Sequence, residues 1–426
     1  MALPLPTAAP PAPIDGMLRR RQILQLLLRY RHCGVFSGFQ HDPGLVVPPA
    51  STEADSPARF VSDLEALGVT FVKLGQLLST RPDMIRPDYL AALERMQEKV
   101  APIPVEAIQQ VVEAELGAPI GKLFSSFDPQ PLGCASIAQV HRAVLRDGRE
   151  VAVKVQKPEV AAQLHSDLRV LRSFAAAADR FTRVGRRLSD WLAEFARTLQ
   201  MELDYETEAG NLQRFGNHLA PYPALWVPQP LLDLSSKRVL TLELVQGVRV
   251  DAIPEVRRTE QSMDPLAAAL VRGYLDQIFV HGEIHADPHP GNLRVTSDNR
   301  LAIFDLGMVA HVPPRLRERL LKLLLAAVDG RGEEVADDII AISTRLEDYQ
   351  EERYLRETGQ MIARYAASRS ISEGQVVLEI VRIATDCGLR TPPELSVLGK
   401  ALLNLENVCH SLAPALDVRA IVERQL

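Results

Sequence analysis

The run His285-Ala286-Asp287-Pro288-His289-Pro290-Gly291-Asn292, followed by Ile303-Phe304-Asp305-Leu306-Gly307, constrains this chain more than any other feature. Pro288 and Pro290 forbid a continuous helix, so Asp287 and Asn292 must share one irregular loop. Asp305 instead follows a short apolar strand, Leu301–Phe304. An isolated Asp-x-Gly reads most simply as a capped turn. With an Asp and an Asn at this interval ahead of it, the set suits a phosphate and its metal ion. Phosphoryl transfer needs one carboxylate beside the attacking hydroxyl, and an amide oxygen with a second carboxylate to hold Mg²⁺. His281, His285 and His289 recur every four residues. That spacing would suggest metal ligands on a helix, and it loses its meaning where the prolines break one.

Val151-Ala152-Val153-Lys154-Val155 places a lysine inside a near-continuous apolar strand. Burying that ammonium is costly unless a carboxylate or phosphate pairs with it. The alternative is an edge-strand lysine facing solvent. Protein kinases carry a strand lysine of this kind, and they set the catalytic Asp and the metal-binding Asn at the interval seen in Asp287 and Asn292. The partner of Lys154 is expected in Glu202-Leu203-Asp204-Tyr205-Glu206-Thr207-Glu208. On a continuous helix Asp204 and Glu208 would share a face, a like-charge pair that a cation would relieve. Lys154 or Mg²⁺ could be that cation.

The surrounding pattern predicts helices at Met17–Arg31, Phe60–Leu78, Pro87–Lys99 and Val105–Leu116, the first with Ile23, Leu26, Leu27 and Tyr30 at helical spacing. A linker rich in Gly and Pro separates the first two. Strands are expected at Leu123–Phe127, Ile137–Leu145 and Glu150–Gln156, then a long helical region whose later part is Leu188–Phe215. Two further strands, Leu225–Leu232 and Arg238–Val245, come next, and mostly helix follows from Pro265. This order implies an α+β chain of two lobes. Its expected divisions are a disordered leader at 1–16, a helical extension at 17–121, a strand-rich lobe with a helical insertion at 122–246, and a helical lobe at 247–426.

Charge and cysteine usage narrow the function. A formal net charge of −6 argues against a nucleic-acid binder, although arginines cluster at Arg19, Arg20, Arg21, Arg29 and Arg31 and again at Arg180, Arg183, Arg186 and Arg187. Cys33, Cys134, Cys387 and Cys409 form no CxxC pair, which suits a reducing compartment. Met1–Ile14 has neither a basic start nor an apolar core and does not read as a signal peptide. The most apolar stretch, Leu320–Val328, contains Lys322 and is far short of a bilayer span. A cytoplasmic protein is expected, with peripheral contact at the inner face of the plasma membrane open through the basic helix Met17–Arg31. The plainer alternative for that helix is a surface element with solvated arginines.

Two further motifs lie outside the ordinary kinase pattern. Lys73-Leu74-Gly75-Gln76 resembles the Lys-x-Gly-Gln signature of the UbiB/AarF (coenzyme Q kinase-like) family of atypical kinases. Pro131-Leu132-Gly133-Cys134-Ala135-Ser136-Ile137-Ala138-Gln139-Val140-His141 resembles the Ala-rich loop that this family carries where kinases have a Gly-rich one. Glu202-Leu203-Asp204 is similar to its Glu-x-Asp motif. The motifs occur in family order from about Leu64 to past His311.

The resemblance implies a two-lobed protein-kinase-like fold with a family-specific N-terminal helical extension. It implies ATP and Mg²⁺ as cofactors. Lys154 would contact the nucleotide phosphates with Glu208 as its helix partner; Gly133, Cys134, Ala135 and Ser136 would form the phosphate loop, and Glu243 and Val245 would complete the nucleotide contacts. Asn292 and Asp305 would hold the metal, and Asp287 would sit at the catalytic-base position. Lys73 and Gln76 would fold the extension over the active site, with Lys73 near Glu202 and Asp204. That extension takes the place of a protein substrate, so ATPase or small-molecule kinase activity in ubiquinone biosynthesis is implied, with a quinone precursor or lipid as partner. A nucleotide-switched scaffold is the alternative. An ordinary protein kinase is disfavoured by the extension and by the lack of Ala-Pro-Glu after Gly307. Two departures stand out: Gly133-Cys134-Ala135-Ser136 replaces a run of alanines, loosening the expected clamp, and the C-terminal membrane helices of some members are not seen before Leu426.

Overall fold

The computed structural model describes residues 16–30, 56–79, 85–93, 96, 101–180, 188–368 and 371–425. The expected leader through residue 15, most of the Gly- and Pro-rich linker with Cys33, and Arg183, Arg186 and Arg187 lie outside the described residues. The chain divides into two compact units. The first takes Met1–Glu206 with Leu231–Glu243, and the second takes Thr207–Pro230 with Leu244–Leu426.

The first unit is built on a four-stranded antiparallel sheet, ordered Ser126–Cys134, Ala138–Val144, Glu150–Gln156, Val239–Glu243. Alternation decides which face each side chain takes. Val151, Val153 and Val155 pack with Ile108, Val112, Phe124 and Val239 in one apolar core. Lys154, one residue out of step, is placed on the other face, in register with Val140 and Leu240. The first strand begins later and runs further than the sequence suggests. Ile120–Leu123 is a helical turn, and the strand continues through Pro131, Leu132 and Gly133 to Cys134. Its prolines are tolerated because it is an edge strand with two register shifts, at Phe127/Pro131 and Pro131/Gly133.

The expected helix Phe60–Leu78 is two, Pro57–Leu67 and Val69–Leu78, because Gly68 adopts φ +89°, a conformation that L side chains rarely take. Leu188–Phe215 is likewise split into Leu188–Glu202 and Tyr205–Leu219. The break has a visible cause. Gln156 Nε2 donates to the Leu203 carbonyl at 2.6 Å and to the Lys237 carbonyl at 3.0 Å. The Tyr205 N–H also turns to the Lys237 carbonyl. Asp204 therefore lies between helices, and the shared helical face expected for Asp204 and Glu208 does not form.

The first helix, Gly16–Tyr30, buries Ile23, Leu26 and Tyr30. It is anchored by Arg19, whose Nε and Nη2 donate to the two oxygens of Asp167 at 2.7 Å each. Thr70 Oγ1 donates to the same carboxylate at 2.6 Å. Both members of the pair are buried. Such a pair is weak evidence of net stabilisation, but removing one partner costs about 3–5 kcal/mol.

In the second unit, Leu225–Trp226, Leu301–Ile303, Leu293–Thr296 and Gly247–Arg249 form a small sheet in that order. Glu283–His285 pairs separately with Val309–His311. The strand expected over Leu225–Leu232 stops after Trp226, where Pro228 and Pro230 deny it ladder hydrogen bonds. The remainder is helical: Asp264–Asp276, Pro314–Val328, Gly332–Ile342, Glu351–Ala367, Glu373–Asp386, Pro393–Leu412 and Val418–Gln425. A two-residue strand pair, Thr344–Arg345 with Leu389–Arg390, interrupts them. The apolar run Leu320–Val328 lies in a 15-residue helix. No helix among the described residues is long and apolar enough to cross a membrane.

Candidate active site

The loop after strand Glu283–His285 is stiffened by its own hydrogen bonds. The N–H of His289 donates to the Asp287 carbonyl at 2.9 Å, and that of Asn292 to the His289 carbonyl at 2.9 Å. His289 Nδ1 accepts from the Gly291 N–H at 3.0 Å, capping the short 3₁₀ turn Pro290–Asn292. Asn292 is buried, and its Nδ2 reaches back to the Asp287 carbonyl at 3.4 Å. Its own carbonyl accepts from the Phe304 N–H at 3.2 Å, which ties this loop to the approach of Asp305. The three spaced histidines do not share a helix: His281 ends a π-helical turn, His285 ends a strand and His289 lies in the loop.

Asp305 adopts φ +62°, the left-handed region that costs a non-glycine residue stability and that clusters at functional positions. The Leu306 carbonyl is held by Asn211 Nδ2 at 2.8 Å, in the buried interior. Gly307 sits where two carboxylates converge. A Cβ placed on it would lie 3.5 Å from Asp305 Oδ1 and 3.8 Å from Glu208 Oε2. Glu208 is buried. Asn211 was not foreseen, although it follows Glu208 at helical i,i+3 spacing and so falls on the same face.

Asp287 is oriented from the C-terminal helices. Asn404 Nδ2 donates to Asp287 Oδ1 at 2.9 Å, and Lys400 Nζ lies 3.5 Å from the same oxygen. Both come from helix Pro393–Leu412, at i,i+4 spacing within an otherwise apolar run. That spacing was the available signal; nothing local tied it to Asp287. His285 is buried among these groups, and neither ring nitrogen has a hydrogen-bond partner among the described residues. Burial lowers its pKa, keeping the ring neutral against the opposing pull of the Asp287 and Asp305 charges.

Within the first unit, Lys154 Nζ stands 5.0 Å from the centroid of the Tyr205 ring. Gly133 and Cys134 end the edge strand, and Ala135 closes the hairpin by donating its N–H to the Ala138 carbonyl at 2.9 Å. Ser136 is buried within that turn. The turn is braced by Gln139, to which the sequence alone assigns no role. Gln139 exchanges hydrogen bonds with the backbone of Ile103 at 3.0 and 3.2 Å, and its Oε1 accepts from the Cys134 thiol at 3.7 Å. Burial raises the Cys134 pKa, only partly countered by the Lys157 charge, so this thiol is a structural donor rather than a nucleophile. Gln139 Nε2 is also 2.9 Å from His141 Nε2, and His141 Nδ1 is 2.8 Å from the Asp128 carbonyl. A proton on Nδ1 satisfies both contacts, and burial lowers the His141 pKa, which keeps the ring neutral.

Lys73 Nζ pairs with Glu202 Oε2 at 2.9 Å, each side chain largely shielded from solvent. Gln76 follows one turn later on the same helix, its carbonyl accepting from Ser79 Oγ. Gly75 between them permits close packing, since a Cβ there would strike the Met96 methyl and crowd Leu64 and Leu93. Asp204 lies in the break after Glu202. Glu243 ends the last strand of the first unit, while Val245 belongs to the second.

Residues 95–339 match the ABC1 atypical kinase-like domain, and residues 359–417 match the UbiB helical domain. An uncharacterized protein of Synechocystis is 32% identical over 91% of this chain and 97% of its own length. The probable protein kinase UbiB of Marinobacter nauticus is 31% identical over 83% of this chain; the chain spans 66% of that relative's length. The Mycobacterium tuberculosis protein Rv3197, solved with erythromycin, superposes with a TM-score of 0.59 at 23% identity, covering 85% of this chain and 93% of that one. It supports a common fold and no more. An Asp–Asn loop, an Asp-Leu-Gly segment with a left-handed Asp305 and a C-terminal helix holding the loop carboxylate thus lie inside matched domains. The chain belongs to the ABC1 atypical kinase-like family, with a UbiB-type helical domain at its C-terminal end.

Proposed function

We propose that the protein binds Mg²⁺-ATP and hydrolyses or transfers its terminal phosphoryl group in support of isoprenoid quinone (ubiquinone) biosynthesis or lipid handling. The observation that carries the reading is the convergence of the Asp305 and Glu208 carboxylates beside Gly307. Close behind it is Asn292, fixed to the backbone of Asp287. Among the described residues no group of three or more His, Cys, Asp or Glu side chains is arranged to hold a metal. Mg²⁺ keeps several waters and is bound through one or two carboxylates plus substrate phosphates. Asn292 and Asp305 supply hard oxygen ligands of the right kind. When bound, Mg²⁺ neutralises charge on the phosphates.

The side chains divide the remaining work. Lys154 and the turn Gly133-Cys134-Ala135-Ser136 contact the nucleotide phosphates. Glu243 and Val245 complete the nucleotide contacts. Asp287 accepts the proton of the attacking hydroxyl or water, its carboxylate kept in place by Asn404 and Lys400. Catalysis here is positioning and charge stabilisation. The link to quinone metabolism rests on the family resemblance alone.

Peripheral membrane contact at the inner face of the plasma membrane is part of the proposal. Helix Gly16–Tyr30 exposes Met17, Leu18, Leu24 and Leu28 together with Arg20 and Arg21, a combination that suits an anionic lipid surface. A second reading, a scaffold that binds nucleotide without turning it over, is favoured by Gly133 and Cys134 lying in a braced strand rather than a free loop.

The test is ATP hydrolysis by the purified chain with and without Mg²⁺, anionic liposomes and a phenolic quinone-precursor mimic, beside Asp305→Asn. Mg²⁺-dependent turnover lost in the variant supports the enzyme. Nucleotide binding without turnover under every condition supports the scaffold, and turnover unchanged in Asp305→Asn removes the site assignment.

A further inference from the structure

The helices of the second unit line a partly open cavity of about 120 Å³ that the proposed phosphoryl chemistry does not use. Its walls come chiefly from helices Asp264–Asp276, Pro314–Val328, Gly332–Ile342, Glu351–Ala367, Glu373–Asp386, Pro393–Leu412 and Val418–Gln425. They are almost entirely aliphatic, with Ala327, Leu398, Leu402 and Leu405 among them. Well-packed interiors leave few voids larger than a water molecule, so an apolar cavity of this size is a feature to be explained. An apolar cavity of comparable size, about 150 Å³, stays dry and takes up benzene.

Polar groups are concentrated in four residues of the lining, Tyr274, Tyr365, Glu373 and Glu406. Tyr365 donates its hydroxyl to Glu373 Oε1 at 3.1 Å. Glu406 Oε1 accepts from the Gly374 N–H at 3.1 Å. Its other oxygen, Oε2, is buried and has no hydrogen-bond partner among the described residues. The fully buried Tyr274 hydroxyl has none either. Leaving such groups unsatisfied is costly, so a partner for them is favoured. Burial first, and then the Glu373 charge, push the Glu406 carboxyl up to about 7, against the Ser372 hydroxyl and the Gly374 N–H.

We propose that this cavity is a binding site for a small apolar molecule bearing one hydroxyl group, the hydrocarbon filling the aliphatic chamber and the hydroxyl sharing a hydrogen bond with Glu406 Oε2. The same helix that lines it also reaches the active-site loop. Leu398, Leu402 and Leu405 form one stripe into the cavity, while Lys400 and Asn404 form another that contacts Asp287. Occupancy therefore bears on the placement of Asp287, a consequence that rests on the proposed catalytic role of that residue. Binding itself does not.

Benzyl alcohol and toluene make the test, since they share a ring and differ in the hydroxyl. Affinities are measured by NMR titration and thermal shift on the full chain without nucleotide, so that the outcome is independent of turnover. The expected result is saturable binding of benzyl alcohol at least as tight as toluene. Filling the chamber with Ala327→Phe weakens both at least 10-fold, with Leu402→Phe in reserve should the first variant not fold. Glu406→Met weakens benzyl alcohol about 10-fold and leaves toluene unchanged, the loss of a hydrogen bond to a buried group. Absence of saturable binding, or affinities unaltered by chamber filling, overturns the site. Equal loss of both ligands in Glu406→Met overturns the role given to the hydroxyl.

Discussion

Asn404 donates from Nδ2 to Asp287 Oδ1 at 2.9 Å, joining helix Pro393–Leu412 to the Asp–Asn loop. Lys400, one turn earlier, approaches the same oxygen at 3.5 Å. The UbiB helical domain therefore aims a carboxylate of the Asp–Asn loop.

Removing that aim should slow chemistry without weakening nucleotide binding. Asn404→Leu is expected to lower kcat for ATP turnover about 10- to 100-fold, the scale of a small misplacement of a catalytic group, with KM for ATP nearly unchanged. Steady-state kinetics check it. A rise in KM at constant kcat would show that Asn404 serves nucleotide binding instead.

Asp305 carries two separable properties, a carboxylate and a left-handed backbone. Asn tolerates that backbone better than most residues, so Asp305→Asn should fold like the parent and lose about 10²-fold or more of Mg²⁺-dependent turnover. Asp305→Val should lose turnover and also stability, by about 1–3 kcal/mol, because a β-branched side chain fits the left-handed region badly. Circular dichroism melting beside the ATPase assay separates the two effects.

What was legible in the sequence follows from what is local. The strand around Lys154 was readable because period-2 alternation in Val151, Val153 and Val155 sets a single buried face. The Asp–Asn–Asp set was readable because its spacing lies within one loop and the next strand. Breaks imposed from a distance were not readable. The split after Glu202 depends on Gln156 and Lys237, which meet Leu203 and Tyr205 only in the folded unit. The edge-strand status of Ser126–Cys134, which admits Pro129 and Pro131, depends on sheet order rather than on any residue in it. Asn404 and Lys400 were invisible for the same reason: their meaning lies in a residue more than a hundred positions away.

The Lys73–Glu202 pair offers a test of how the N-terminal extension is held. Its members are 17% and 18% exposed, so solvent screens it less than a surface pair. Lys73→Met should destabilise the first unit by about 1–3 kcal/mol, because it leaves a largely shielded carboxylate without its partner. Glu202→Gln should cost less. Hydrogen exchange of helix Val69–Leu78 is the measurement, with faster exchange expected in Lys73→Met; unchanged protection would assign the hold to the packing of Phe71, Leu74 and Leu78 alone.

Glu406 makes the stability of the second unit depend on pH. Its carboxyl holds a proton more tightly when folded, at about 7, than the ordinary value of 4.5. A raised folded pKa favours the native state below the unfolded value, and that advantage drains away as pH climbs from 4.5 to 7. Above that window the charged form must be carried beside Glu373 in an apolar wall, at a cost on the order of 3 kcal/mol. Glu406→Gln keeps an acceptor for the Gly374 N–H and cannot ionise. The variant should match or fall below the parent at pH 5 and exceed it at pH 8, so the two curves of urea-unfolding stability against pH cross near neutrality. Parallel curves would mean that Glu406 is ionised throughout, and that the Ser372 hydroxyl and the Gly374 N–H outweigh burial.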